Sequence, residues 1–283
     1  ASVDIDARLV LAEEVLGLGP NDEETWQVIL DQCDDAEFCL AASNRLAPAL
    51  EEMAATDRAV ALRRRAIEHT PIDDRAQPLL NLARTLAKTD GQARQAIALL
   101  LDNAAQVKEP IELIAEACDL ARDGDALANW LDAVELMVAG EQFDGEMGFA
   151  VVAMAADVAA SELNDSQRAA DLWTRAWDVD PDSADARDAV LALRRDTGDA
   201  ERLAIDLERA SLHTSGEDLN ALKLELASLW LDQLGRPLDA LGQVQSVLHD
   251  AAGNTTAHAI AEQLLEHPAC RRQVSTLLEP IYR

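Results

Sequence analysis

The chain carries the segment QRAADLWTRAWDVDP at residues 167–181, and an echo of it, DRAVALRRRAIEHTP, lies at residues 57–71. Aligned without a gap, the two segments share six of their fifteen residues. The shared residues include the pairs Ala59/Ala169, Ala66/Ala176 and Pro71/Pro181. Two copies of one pattern indicate an internal repeat, and apolar positions three or four apart indicate that each copy is an amphipathic helix.

Turn signals divide the rest of the sequence into stretches of about 12 to 20 residues with the same helical period. Each break joins Gly or Pro, which ends a helix, to a residue that caps the next one, as in Thr197-Gly198-Asp199. Roughly sixteen helices result, and short links make consecutive helices antiparallel. We therefore predict an all-α fold over residues 1–283, an α-solenoid of about eight antiparallel helical hairpins in a single array.

Composition supports helices and argues against several classes of partner. Aromatic residues are only 3% of the chain, which leaves little material for strands. No window approaches about 18 uninterrupted apolar residues, so we expect no membrane span. With 53 acidic and 24 basic residues the net charge is −29, which would repel a nucleic-acid backbone and an anionic membrane surface. We therefore expect neither nucleic acid nor membrane as a partner.

The second-helix pattern resembles that of the tetratricopeptide repeat (TPR) family. It consists of a small residue, a large residue four positions on, Ala three further and Pro five after that, and here these are Ala169, Trp173, Ala176 and Pro181. The resemblance is strict only in residues 150–215. The C-terminal hairpin, residues 254–283, resembles repeat units in arrays of large bacterial proteins. The TPR resemblance implies that the array winds as a right-handed superhelix. The resemblance of the C-terminal hairpin implies a fragment of a longer chain whose other parts are among its partners. We expect the protein to be cytoplasmic.

A search for catalytic or metal-binding patterns finds no complete set. The four cysteines, Cys33, Cys39, Cys118 and Cys270, form no C-x-x-C pair, so we expect buried free thiols. No phosphate-binding loop, calcium loop or H-E-x-x-H motif occurs. We expect no enzyme, no cofactor and no metal. The neighbours His249 and Asp250 leave one remote alternative open, an HD-like metal-dependent hydrolase, which would need further ligands from other helices.

Two other local features have expected structural roles. The basic triplet Arg63-Arg64-Arg65 is expected to pair with acids such as Glu51 and Glu68 rather than to bind phosphate. Trp173 falls on the packing position of the repeat, so we expect it in the core. Trp177 lies one turn further along, and we expect it to be an exposed anchor for a partner.

The resemblance also implies a binding face, since first helices line the concave groove of TPR proteins. By register, the groove positions are Asp185, Asp188, Leu222, Glu225, Leu229 and Asp232. Family members that clamp a peptide's C-terminal carboxylate use Lys, Arg and Asn at such places, so acidic residues imply a basic partner with salt-sensitive affinity. The leading hypothesis is therefore a scaffold that binds a protein or peptide, with basic character favoured. A structural spacer and the regulatory helical arm of a larger enzyme remain as alternatives.

Overall fold

The structure, a computed structural model, describes residues 5–18, 22–89, 91–143 and 145–279. Within these ranges the regular structure consists of sixteen α-helices and one short 3-10 turn, Ile72–Asp74, with no strand. The predicted all-α class is confirmed. None of these described helices combines the length and the apolarity that a bilayer crossing requires.

The chain divides into two units, Ala1–Val151 and Val152–Arg283. The helices of the first unit are α1 (Ile5–Leu18), α2 (Glu23–Gln32), α3 (Ala36–Glu52), α4 (Thr56–His69), α5 (Ala76–Ala87), α6 (Ala93–Ala104), α7 (Pro110–Asp123) and α8 (Leu127–Ala139). Consecutive helices pack as hairpins, and α1 also contacts α3 while α5 contacts α7. Contacts between alternate helices stack one hairpin on the next.

The second unit begins within α9 (Gly145–Ser161). Its remaining helices are α10 (Ser166–Val179), α11 (Ala184–Thr197), α12 (Ala200–Leu212), α13 (Gly216–Asp232), α14 (Pro237–Asp250), α15 (Thr255–Leu264) and α16 (Arg271–Leu278). Consecutive helices again pack as hairpins. The helices α13 and α15, which are the first helices of two consecutive hairpins, also contact each other. The predicted stack of helical hairpins is thus present within each unit.

The turn residues of the sequence start and end these helices as predicted. The side chains of Asp165, Ser183 and Asp199 accept hydrogen bonds from backbone N–H groups in the first turns of α10, α11 and α12. Such caps satisfy donors that have no partner inside the helix. Gly198 ends α11 with a φ of 69°, a left-handed conformation that glycine adopts without steric cost. Local sequence therefore sets the boundaries of the hairpins.

The repeated alanines lie where helices meet. Ala59 and Ala66 on α4 and Ala169 and Ala176 on α10 have at most 1% of their surface exposed. A methyl side chain at such a contact allows two helix backbones to approach closely. The sequence repeat therefore marks the packed side of the second helix of each hairpin.

Two arginines of the basic triplet on α4, Arg63 and Arg65, pair with acids, as predicted. Arg63 lies 2.8 Å from a Glu51 carboxylate oxygen, and both side chains are almost fully buried. Arg65 lies 3.0 Å from Glu68 and 2.9 Å from Asp34. Arg63 also donates to the backbone carbonyl of Asn81 on α5, so it joins three successive helices. In the alignment of the two copies, Arg63 stands at the position that Trp173 occupies in α10.

The four cysteines also lie as predicted. Each is a free thiol and each is buried. Cys33 and Cys39 belong to the core of the first hairpins, beside Phe38 and Leu46. They therefore contribute apolar packing to the fold.

The alanine contact predicts a directed loss of stability. Ala176→Leu should lower the free energy of unfolding by about 1 to 3 kcal/mol, because three extra heavy atoms must enter a contact with no free surface. Urea unfolding, followed by circular dichroism, measures this change in the free energy of unfolding. Ala192→Leu, at an exposed position of α11, is the matched control and should change stability by less than about 0.5 kcal/mol. Equal losses in the two variants would contradict the packing.

Candidate functional site

The candidate site is the face formed by α11, α13 and α15 of the second unit, called here the first-helix face. Three cavities lie along it. One of about 750 Å³ lies between α13 and α15, and one of about 380 Å³ lies between α11 and α13. A third, of about 280 Å³, lies where α11 ends and α12 begins, and we call it the Arg194 cavity. Glu225 lines all three, so they form one continuous candidate surface.

Glu225 is already paired. The Arg195 guanidinium donates from Nε and Nη2 to the two carboxylate oxygens of Glu225, at 2.6 and 2.8 Å. This two-point geometry is the strong form of an arginine–carboxylate contact. The hydrogen bonds to Glu225 raise the pKa of Arg195, against the effect of its partial burial. The pair joins α11 to α13 and fixes the centre of the first-helix face.

The first unit repeats this arrangement. Arg45 on α3 makes the same two-point contact with Glu13 on α1, at 2.5 and 2.8 Å. Arg84 on α5 does so with Glu116 on α7, at 2.8 and 2.6 Å. Every one of these pairs connects the first helices of two consecutive hairpins. Arginine–glutamate bridging is therefore a recurring device of this chain.

Each cavity also holds one carboxylate that has no ion-pair partner among the residues that the structure describes. Glu217 lines the α13–α15 cavity, Asp218 the α11–α13 cavity and Asp232 the Arg194 cavity. All three are exposed, and none makes an ion pair with a residue that the structure describes. The first-helix face therefore presents spaced negative charges that are free to accept hydrogen bonds.

The predicted groove positions fall largely on this surface. The cavities are lined by Asp188, Leu222, Glu225, Leu229 and Asp232. Asp188 is exposed and lies 2.9 Å from Arg187. Leu222 is half-buried and Leu229 is 6% exposed, so these two residues form the apolar part of the cavity lining. Asp185 is exposed on α11 but lines none of the three cavities.

The expectation of an exposed anchor at Trp177 is wrong. Its ring is fully buried, while Trp173 is half-buried. The Trp177 Nε1–H donates to the backbone carbonyl of Pro181 at 3.0 Å, because the turn after α10 folds back over the indole. The Arg209 guanidinium on α12 covers the ring, 4.1 Å from its centroid. The packing position therefore lies one turn later in α10 than the repeat pattern indicated.

A buried arginine that the sequence reasoning missed forms the back of the Arg194 cavity. Arg194 is 4% exposed, and it donates from Nε to Asp206 at 3.2 Å and from Nη2 to Asp171 at 2.8 Å. Burial raises the pKa of Asp206, and Arg194 only partly offsets this effect. The third nitrogen of Arg194, Nη1, is buried without a hydrogen bond to any described residue.

One sequence signal could have identified the paired groups. Arg195 and Glu225 are 30 residues apart, and both Glu13/Arg45 and Arg84/Glu116 are 32 apart. A charge pair recurring at nearly the length of one repeat indicates contact between equivalent helices. The role of Arg194 has no such signal, since it depends on burial.

The two residues of the remote hydrolase alternative are both exposed. His249 and Asp250 end α14. Among the residues that the structure describes, no group of three or more His, Cys, Asp and Glu side chains is placed to hold a metal ion. The first-helix face therefore remains the candidate site.

Comparison with known proteins gives fold neighbours only. No family model and no curated protein matches the sequence. A TPR protein from Parabacteroides merdae is similar, with 10% identity, a TM-score of 0.33, and coverage of 85% of this chain and 98% of that one. A thermophilic TPR protein of Thermus thermophilus is 20% identical with a TM-score of 0.29, covering 80% and 98%. The human IFIT1 dimer with PPP-AAAA is 11% identical with a TM-score of 0.33, covering 99% and 64%. These similarities have identities of 20% or less and TM-scores of 0.33 or less, and we draw no conclusion from them.

The burial of Trp177 predicts unequal effects of two tryptophan substitutions. Trp177→Ala should lower the free energy of unfolding by about 3 to 5 kcal/mol, because it leaves a cavity and removes the surface under Arg209. Trp173→Ala should cost less, since part of that ring is exposed. Urea unfolding curves of the two variants measure the difference. A larger loss for Trp173→Ala would show that the core position is Trp173 after all.

Proposed function

We propose that this chain is a protein-interaction scaffold whose first-helix face binds an extended segment of a partner with basic side chains. The observation that carries the proposal is the placement of one unpaired carboxylate in each of three adjoining cavities. A carboxylate in a cavity has apolar walls beside it that a ligand can contact, whereas a carboxylate on a convex surface has none. The proposal concerns binding and assigns no reaction to the chain.

The walls suit long basic side chains. The α11–α13 cavity combines Asp218 with the apolar atoms of Leu191, Ala221 and Leu222. A lysine or arginine can lay its methylene stem along such a surface while its charged end reaches the carboxylate. The neighbouring pairs Arg187/Asp188 and Arg195/Glu225 are already neutralised, so Asp218 is the group left to attract a cation.

The spacing of the carboxylates sets a spacing in the partner. Asp218 and Asp232 are fourteen residues apart on α13, which corresponds to about 21 Å along the helix. An extended peptide covers that distance in about six residues at roughly 3.3 Å each. Side chains at positions i and i+6 of an extended segment point to the same side. Two basic residues separated by five others therefore match the two carboxylates.

The net charge also acts at longer range. With −29 overall, the protein attracts a basic segment and repels an anionic one, and salt screens both effects. A partner that ends in a clamped carboxylate is a poor fit to this face, because each cavity presents an exposed carboxylate that would repel it. The exclusion of nucleic acid stays a prediction that rests on the same repulsion.

A peptide titration tests the proposal. The probe is a fluorescein-labelled peptide with two lysines six positions apart in an uncharged background, and fluorescence anisotropy reports binding to the full chain. The double variant Asp218→Asn, Asp232→Asn should weaken binding by about tenfold, because both charge-assisted contacts are lost. Added salt should weaken binding to the wild-type chain. A second peptide with lysines five apart, which point to opposite sides, should bind less tightly.

The matched control removes two charges elsewhere in the same unit. Glu201 and Glu208 are exposed on α12, outside the first-helix face, and Glu201→Gln with Glu208→Gln should leave the affinity unchanged. Equal weakening by the two double variants would mean that the peptide responds only to net charge. Absence of binding by either peptide would favour the structural spacer.

A further inference from the structure

The first unit has an apolar groove between α1 and α2, called here the α1–α2 groove. A cavity of about 330 Å³ lies in it, and its walls include Leu11 and Val15 of α1 and Val28 of α2. Leu11 is 59% exposed and Val28 is 57% exposed, whereas Ala12 and Ile29, which also line the cavity, are buried. Exposed apolar side chains are common singly, but here they stand on both sides of one cavity. The groove therefore offers open apolar walls above a buried apolar floor.

Carboxylates border this groove and pair with no cation of the described chain. Glu24 lines the cavity, while Glu14 and Asp31 lie one helical turn after the exposed apolar residues of α1 and α2. All three are exposed, and none makes an ion pair with a residue that the structure describes. Asp31 accepts a hydrogen bond from the Gln27 side chain at 2.9 Å, but this neutral partner leaves its charge in place. The border is therefore negative.

Among the described residues that line the cavity, the one cation is Arg8, and its hydrogen bonds are directed within the protein. Arg8 donates from Nη1 to Asp35 at 2.8 Å and from Nε to the side-chain oxygen of Gln32 at 3.2 Å. Its guanidinium also lies 4.2 Å from the ring centroid of Phe38. Arg8 is therefore held by Asp35 and does not neutralise the carboxylates at the border.

The apolar walls favour a helix as the occupant of the groove. Leu11, Val15 and Val28 offer no hydrogen bonds, so a bound segment must satisfy its own backbone N–H and C=O groups. An α-helix does this, and an extended strand does not. The side chains that meet the walls must be apolar and three or four positions apart in that helix.

The charge at the border determines what flanks the apolar side of that helix. Lysine or arginine beside the apolar residues can extend over them and reach the carboxylates. A second copy of this chain is the poorer occupant, because its own groove brings the same carboxylates to the contact and each copy carries a net charge of −29. Charge complementarity therefore favours a basic partner over self-association.

We propose that the α1–α2 groove is a docking site for an amphipathic helix of a partner protein, whose apolar side covers Leu11 and Val28 and whose basic residues reach the bordering carboxylates. All residues of this groove belong to the first unit. The inference therefore does not rest on the proposed function, which concerns a face of the second unit.

A designed helical peptide tests the proposal. The probe is a fluorescein-labelled peptide of about 18 residues, with leucines three and four positions apart, lysines beside them and alanine elsewhere. Its binding to the full chain carrying Asp218→Asn and Asp232→Asn is followed by fluorescence anisotropy, so that the first-helix face does not attract the lysines. We expect saturable binding with a dissociation constant of about 10 μM. A peptide of the same composition with scrambled leucines, and one with glutamate in place of lysine, should each bind at least about tenfold more weakly.

Substitution of the exposed apolar residues separates the groove from other apolar surface. Leu11→Ser with Val28→Ser should weaken binding of the lysine peptide at least about tenfold, because both side chains lose their contact with it. Ile205→Ser with Leu212→Ser is the matched control and should leave the affinity unchanged. These two residues are 63% and 81% exposed on α12 and line none of the four cavities described.

Neutralising the border tests the charge separately. Glu14→Gln, Glu24→Gln and Asp31→Asn together should weaken binding of the lysine peptide about fivefold at low salt, and the difference should shrink as salt is added. All three side chains are exposed, so circular dichroism should show unchanged helicity.

Four results would overturn the proposal. Absence of binding by the lysine peptide at 1 mM would do so, as would equal binding of the ordered and scrambled peptides, since charge alone would then attract both. Equal weakening by the two serine double variants would show that the groove is not the site. A dimer of the free chain in sedimentation experiments that Leu11→Ser with Val28→Ser abolishes would assign the groove to a second copy. None of these results bears on the first-helix face, which is tested by the extended peptide.

Discussion

The two-point arginine–glutamate contact between the first helices of consecutive hairpins is the interaction on which the surface chemistry of this chain depends. It recurs in both units, as Arg45 with Glu13, Arg84 with Glu116 and Arg195 with Glu225. The alanine contacts let two helices approach closely but do not fix their positions along each other. A bidentate ion pair does, because it joins one particular turn of each helix. With 24 basic and 53 acidic residues, the chain cannot pair every acid. The positions of the arginines therefore determine which carboxylates stay available.

The unpaired carboxylates on the first-helix face of the second unit result from this excess of acidic over basic residues. Arg195 neutralises Glu225 at the centre, and Arg187 lies against Asp188. Glu217, Asp218 and Asp232 remain on either side, each in a cavity. Behind them Arg194 is the reverse case, a cation with two carboxylate partners and one nitrogen unsatisfied. The exposed carboxylates are therefore the groups of this face that a partner can reach.

Much of the fold was predictable because it is encoded locally. Caps such as Asp165 and Ser183, the left-handed Gly198 and the repeated alanines act within one helix or one turn, so the sequence alone reveals them. The ion pair of Arg63 with Glu51 was also predictable, since both residues belong to one hairpin. The burial of Trp177 was not, because it depends on Arg209 reaching over the ring from α12. Register shows which side of a helix a residue occupies, but not which distant side chain covers it.

The sequence placed acidic residues on the first helices, and Asp188 and Asp232 line cavities there. That these positions bind a partner stays a proposal. The pairing of Glu225 had a sequence signal in its 30-residue spacing from Arg195. The burial of Arg194 had none, because it depends on which side chains from other helices cover it.

Amide hydrogen exchange of the full chain, with and without the basic peptide, tests the central claim most directly. The account predicts slower exchange on peptide binding in α11, α13 and the starts of α12 and α15, with α10 and α14 unchanged. Slower exchange in α10 and α14, or no change in any helix of the first-helix face under conditions where the peptide is bound, would contradict it.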